Sequence, residues 1–394
     1  MSHRDAKLCR RTENATPQHL GWGPSTARFE RSMSKSSTTH VLDLRDAEAT
    51  LPFPEFRFID LFAGIGGFRI GMTLAGGKCV WTSEWDRFAR ETYEAWYGSE
   101  NIHGDINDAG LDLAEDVPDH EVLCGGFPCQ PFSLAGVSKK NSLGRKHGFD
   151  DAKQGNLFFR ICDVIDAKRP KVLLLENVKN LRSHDGGNTY RVIMDELESR
   201  DYVVFDQIID ARHWVPQHRE RIFLVCFDRS FFGDEPDFEF PEPPDEPPPT
   251  MSDVLLSNVD AKYTLSDKLW KYLQDYAAGH RAKGNGFGYG MVGPDDVSRT
   301  ISARYHKDGS EILVSQGSKN PRRLSPTEAL RLMGYTPELA QLLGIGHDFP
   351  QVVSDTQAYR QAGNSVVAPV VVAIAAEIRR TMQANAALLT HAAR

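Results

Sequence analysis

Between residues 56 and 228, short apolar runs alternate with longer amphipathic stretches. "FRFIDLFAG", "KCVWTSE", "HEVLCGG", "PKVLLLEN" and "RIFLVCF" each place apolar side chains on both faces of an extended chain, and most close on Gly, Asn or Glu. "RFARETYEAWYG" and "GNLFFRICDVIDAKR" carry helical periodicity between them. Strands apolar on both faces and alternating with helices predict a parallel sheet covered on both sides. The expected class is α/β, a doubly wound, Rossmann-like domain that binds ligands at the carboxyl ends of its strands.

The pattern stops at "DEPDFEFPEPPDEPPPT", residues 234–250, an acidic proline-rich stretch read as an extended linker unable to pack. Residues 262–331 reverse the charge, with 12 Lys/Arg against 7 Asp/Glu, and are rich in glycine and short strand-like runs. "NSVVAPVVVAIAAEIRRTM" reads as a buried helix capped by Asn364 or Ser365, with Pro369 tolerated in its first turn. The expected division is a polar tail over 1–52, a catalytic domain over 53–233, the linker over 234–250, a smaller mixed domain over 251–355, and a segment over 356–394 that returns to the first domain. Met33 offers a second candidate start within the tail.

Composition narrows the classes. The chain has 394 residues, 25% charged, and a formal net charge of −8, which argues against a generic nucleic-acid coat but leaves room for a local basic face. Six cysteines form no C-x-x-C pair, so no zinc site is expected and the thiols read as reduced, in a cytoplasmic protein. No membrane span and no secretory signal are read from the sequence.

"DLFAGIGGFRIG" follows a strand and opens a helix, presenting backbone N–H groups to a polar ligand. It is not the dinucleotide fingerprint: Arg69 stands where the third glycine belongs. Glu84 is placed to accept from ribose hydroxyls, Trp85 to offer a flat face to a purine, and Asp105 to take an adenine amino group. Their order at successive strand ends predicts an adenosine-bearing cofactor.

"GGFPCQPFS" braces Cys129 between Pro128 and Pro131 just past a strand, a stiff corner that suits a nucleophile better than core packing. Glu176 ends the next apolar run, where burial can keep its carboxyl protonated near pH 7. Arg219 and Arg221, alternating in "QHRER", are expected to point to opposite sides of their strand, one toward a reacting group and one toward a phosphate. A thiolate, a proton-bearing carboxyl, an arginine and an adenosine cofactor together fit methylation of cytosine carbon 5. The thiolate adds at carbon 6, Glu176 donates to ring nitrogen 3, and Arg221 binds oxygen 2. The base must leave its stack for a side chain to reach carbon 6.

The residues resemble the DNA cytosine-C5 methyltransferases. "FIDLFAGIGGFRIG", "GGFPCQPFS", "ENVKNL", "QHRER" and "RQAGNSVVAPV" are similar to five of that family's motifs, in order, over roughly residues 56–380. The resemblance implies an S-adenosylmethionine-binding domain and a smaller target-recognition domain, with double-stranded DNA between them. It implies Cys129 as nucleophile, with Glu176 and Arg221 on the cytosine. Phe62, Gly64, Glu84, Trp85, Asp105, Ile106, Pro128, Asn364 and Ser365 line the cofactor pocket, while Ser133, Arg219 and Asn177 support DNA contacts or site geometry. "GFGYGMV" and "SRTISARYHKDGSEILV" are similar to the Dcm-like branch, whose sites are short palindromes beginning CC, such as CCWGG. Arg304, Lys307 and Asp308 are then the expected base or phosphate readers. Lys139, Lys140, Arg145 and Lys146 are expected phosphate contacts of a lid. The remaining expectations are a bacterial restriction-modification or orphan enzyme, possession of a cognate endonuclease in the former case, a monomer, and neither membrane nor metal partners. The same chemistry on a transfer RNA, and a non-catalytic repressor, are the alternatives.

Overall fold

The computed structural model describes residues 56–128, 157–286 and 288–392, with side chains as far as residue 386. Cys129, Ser133, the lid lysines and arginine, and the N-terminal tail lie outside these residues.

Seven strands form the main sheet in the order β3-β2-β1-β4-β5-β7-β6. Strands β1 (Arg57–Leu61), β2 (Lys78–Ser83), β3 (Ile102–His103), β4 (Val122–Gly126) and β5 (Val172–Val178) run parallel. The direction changes beyond β5: β7 (Glu220–Asp228) is antiparallel both to β5 and to β6 (Tyr202–Asp210). The all-parallel expectation therefore fails at one edge, where the short 211–219 connection lets β6 and β7 pair as neighbours.

The first helices are α1 (Gly67–Leu74), α2 (Arg87–Tyr97), α3 (Leu157–Lys168) and α4 (Asn188–Ser199), with the single turn α5 (Arg229–Phe232) after β7. Then come α6 (Asp267–Ala282), α7 (Pro326–Arg331), α8 (Pro337–Leu342), α9 (Asp355–Asn364) and α10 (Ala368–Ala392). A second sheet pairs β8 (Met291–Val292), β9 (Leu313–Gln316) and β10 (Lys319–Arg323), with β9 in the middle.

Alternation along the strands separates two cores. Phe58, Cys124, Leu174, Phe223 and Val225 face α1 and α10; Leu123, Leu173, Leu175, Ile222 and Leu224 face α3 and α4. Each such side chain, taken fully from water, contributes about 1.5–3 kcal/mol. The first core continues without a break into Ile301, Tyr305, Ile312 and Leu324, so residues 301–324 are rooted in the sheet's own packing.

Three expectations are corrected. The acidic linker does pack: Phe238 is buried against Phe205 and Phe227, and Arg380 of α10 holds Asp237. Neither Asn364 nor Ser365 caps the last helix, because Asn364 ends α9 and α10 begins only at Ala368. And one stretch, Asp355–Ala386, is long and apolar enough to cross a membrane by composition, but 72% of its apolar window is buried inside the protein. It is the pair α9–α10, and the apolar surface of α10 is already covered by α1 and the sheet.

Candidate active site

Both halves of the site sit at the carboxyl ends of the parallel strands. After β1 the chain turns through Phe62, which takes φ of 57°, a left-handed conformation that costs about 1–3 kcal/mol in a non-glycine residue. Gly64 follows, and a Cβ there would meet nothing within 4 Å, so its backbone borders open space. Glu84, at the end of β2, accepts from the Gly64 N–H through Oε2 and from the Asp86 N–H through Oε1, both at 2.7 Å. Burial raises its pKa, and these two N–H groups act against that rise. Trp85 beside it is 72% exposed, unusual for so large an apolar ring and suited to an unfilled stacking face. Asp105 is exposed, with Oδ1 already accepting from Asn107 N and Nδ2, while Ile106 is buried behind it. An adenosine group fits these residues: a backbone cradle, an anchored carboxylate and an exposed indole converge on one strand edge.

The second half lies on β4, β5 and β7. Gly126 pairs with Glu176 in register, and a Cβ at 126 would stand 3.4 Å from Glu176 Oε2, so glycine leaves the carboxyl its room. Asn177 Nδ2 donates to Phe127 O at 2.9 Å, bracing the turn that runs through exposed Pro128 toward Cys129. Glu176 has a side chain only 12% exposed, and Arg221 Nε lies 3.0 Å from its Oε1. Burial raises the Glu176 pKa; Arg221 and then Arg219 pull it back.

The expectation for the two arginines is corrected. Residues two apart on a strand share a face, and both guanidinium groups act on Glu176. Arg219 reaches no phosphate: it is buried and donates to Ile301 O, Gly363 O and Ser365 O at 3.0, 3.0 and 2.7 Å. Burial, helped by Arg221, lowers its pKa to about 9. It clamps three segments around the site. Ser365 Oγ pairs with Tyr335 Oη at 2.6 Å, and Asn364 is exposed beside it.

Arg304 and Lys307 are exposed on the turn between Ala303 and Asp308, and Asp308 Oδ1 accepts from Ser310 N. They lie close together along the turn, as a reading surface requires. Sequence reasoning missed Gln217, which is fully buried: its Oε1 accepts from Ile301 N at 2.8 Å and its Nε2 donates to Leu332 O at 3.1 Å. Its place in "QHRER" was the available signal. Among the described residues no group of three or more His, Cys, Asp or Glu is placed to hold a metal.

Comparison with known proteins agrees with this geometry. The family model for C-5 cytosine-specific DNA methylase matches residues 56–380. The chain is 45% identical over an alignment of 410 residues to the DNA-cytosine methyltransferase of Escherichia coli (strain K12), covering 89% of this chain and 85% of the relative. It is 46% identical to the type II methyltransferase M.NlaX of Neisseria lactamica, covering 84% and 98%. Among solved structures, Entamoeba histolytica methyltransferase EhMeth superposes with a TM-score of 0.62 at 18% identity, over 85% of this chain and 99% of that one, a likeness of fold. With the family model spanning the main sheet, both halves of the candidate site and the second sheet, this chain belongs to the C-5 cytosine-specific DNA methylases, enzymes that methylate cytosine in DNA at carbon 5.

Proposed function

We propose that Cys129, Glu176 and Arg221 are the catalytic set, with S-adenosylmethionine as methyl donor and a short duplex DNA site as substrate. The observation that carries this is the Glu176–Arg221 pair, 3.0 Å apart at the edge of the sheet, one strand from the turn that leads to Cys129.

The donor, held by Phe62, Gly64, Glu84, Trp85, Asp105, Ile106, Pro128, Asn364 and Ser365, supplies an electrophilic methyl group. Cys129 Sγ, as thiolate, forms a bond to cytosine carbon 6, and the ring electrons move toward nitrogen 3. Glu176 delivers a proton there, which its burial favours, and Arg221 steadies the charge on oxygen 2. Carbon 5 then takes the methyl group. Loss of the carbon 5 proton to solvent, release of the carbon–sulfur bond and return of the nitrogen 3 proton restore the ring. Arg219 holds the walls of the site, and Ser133, Arg304, Lys307 and Asp308 contact DNA.

The division into catalytic (53–233) and recognition (251–355) domains, a CC-type palindrome such as CCWGG, monomeric action and a cognate endonuclease belong to the same proposal. The "type II methyltransferase" name of the Neisseria relative and the similarity to the Dcm-like branch support it.

A duplex carrying 5-fluorocytosine tests the scheme, since fluorine cannot leave as the proton does. A protein–DNA band that survives denaturation is expected with the natural protein and not with Cys129→Ser. Labelled donor should mark duplex DNA and leave bulk tRNA unmarked. A methyl group found on nitrogen would overturn the proposal.

A further inference from the structure

Three side chains beneath the glycine loop take no part in the steps above: Asp60, Arg69 and Tyr97. Asp60 lies on β1 between Thr82 of β2 and Cys124 of β4, fully buried. The Arg69 backbone N–H faces its carboxyl, yet neither oxygen reaches hydrogen-bonding geometry. Burial holds the proton on it, and the Arg69 guanidinium acts against that rise.

Arg69 occupies the first turn of α1, where a dinucleotide-binding loop would have its third glycine. Its guanidinium stands 4.7 Å from the centre of the Tyr97 ring and 5.2 Å from that of Tyr93, and Nη1 donates to Tyr93 Oη at 3.1 Å. Tyr97 in turn meets the loop. Its hydroxyl donates toward Ile65 O and Gly66 O at 3.3 and 3.4 Å, and its ring fills the space a Cβ at Gly66 would need, 2.5 Å from that position. Gly66 has φ of 84°, so the loop accepts no other residue there without strain. Contacts thus run from Arg69 through Tyr97 to the backbone at 65–66. Glu84 holds the other side of the loop at Gly64.

We infer that Arg69 is a positioning residue that presses Tyr97 against the glycine loop and so sets the affinity for the methyl donor rather than the rate of transfer. The inference rests on the reading that this loop holds the donor. A desolvated guanidinium over an aromatic ring is strong enough that its loss weakens a site it supports by roughly ten- to thirty-fold.

The test uses the full chain, with S-adenosylhomocysteine titrated by calorimetry and methyl transfer to duplex DNA measured over a range of donor concentrations. Arg69→Met should raise the S-adenosylhomocysteine Kd and the donor KM together, with kcat at saturating donor and the KM for DNA unchanged. Arg69→Lys, which keeps a cation for the Tyr97 ring, should recover most of the loss. Tyr97→Phe, which removes only the hydroxyl, should weaken donor binding roughly threefold, and it keeps the test alive if Arg69→Met fails to fold. An unchanged donor Kd in Arg69→Met and Tyr97→Phe, or a fall in kcat at constant donor KM, overturns the inference. Failure of the natural protein to bind S-adenosylhomocysteine would instead overturn the reading of the loop itself.

Discussion

Strands β4, β5 and β7 have five, seven and nine residues, paired in continuous register and apolar on both faces, whereas β8, β9 and β10 have two, four and five, with a bulge in the last pairing. The first region is held by buried area. The second is held in addition by buried polar groups that bond across it. Glu328 has no exposed surface; it accepts from Arg322 Nη1 and Nη2, Ser325 N and Leu256 N, all within 2.7–2.9 Å. Gln217 and Arg219 tie the same region back to β7 through Ile301. Long apolar strands tolerate change at their solvent ends, where chemistry can be placed. A region of short strands depends on a few irreplaceable hydrogen bonds.

The contrast breaks into four measurements. Glu176→Gln should cut methyl transfer by roughly 10²–10⁴ while leaving the unfolding midpoint nearly unmoved, because the site region does not depend on that carboxyl for its packing. Single-turnover kinetics beside a urea titration would show whether rate and stability separate in this way. Glu328→Gln should do the reverse, costing about 3–5 kcal/mol in urea by stranding the buried Arg322. Arg219→Met joins the two regions, so it should cost about 2–3 kcal/mol and also raise the KM for DNA, as three carbonyls lose their donor. A stability loss without a DNA effect would separate the clamp from recognition.

The fourth measurement concerns pH. Burial pushes the Asp60 carboxyl up to about 8, far above its ordinary 3.8. The unfolded chain gives up this proton near pH 4 and the folded chain holds it until about 8. The stability it contributes is therefore whole below pH 4 and drains away as pH rises through 8. Asp60→Asn should flatten the slope of Tm against pH between 5 and 8, and identical slopes would refute the assignment.

Strand order aside, the sheet was legible because period and apolar runs report burial on both faces: "PKVLLLEN" became β5 and "HEVLCGG" became β4. Glu176 was legible for the same reason, as a carboxyl at the end of a run that must be buried. The reversal of β7 was not, since an antiparallel strand buried on both faces has the same pattern as a parallel one. Arg219 was legible as a site residue, but its partners and those of Gln217 were hidden because they lie 82 to 146 and 84 to 116 residues away, and local pattern carries no record of such pairings; for Glu328, which bonds Arg322 and Ser325 nearby, only Leu256, 72 residues away, was out of reach. Phe238 was lost among prolines, where composition outweighed one aromatic residue that finds a pocket.

Helix α10 lies against α1 so tightly that a Cβ at Gly71 would stand 2.5 Å from Val371 Cγ1, a neighbour about 300 residues further along the chain. A ribosome that has just made the glycine loop has therefore made only half of its support. The nascent sheet waits with one flank bare until the final elements emerge, and a chain cut short before residue 366 would lack the covering for its own glycine loop.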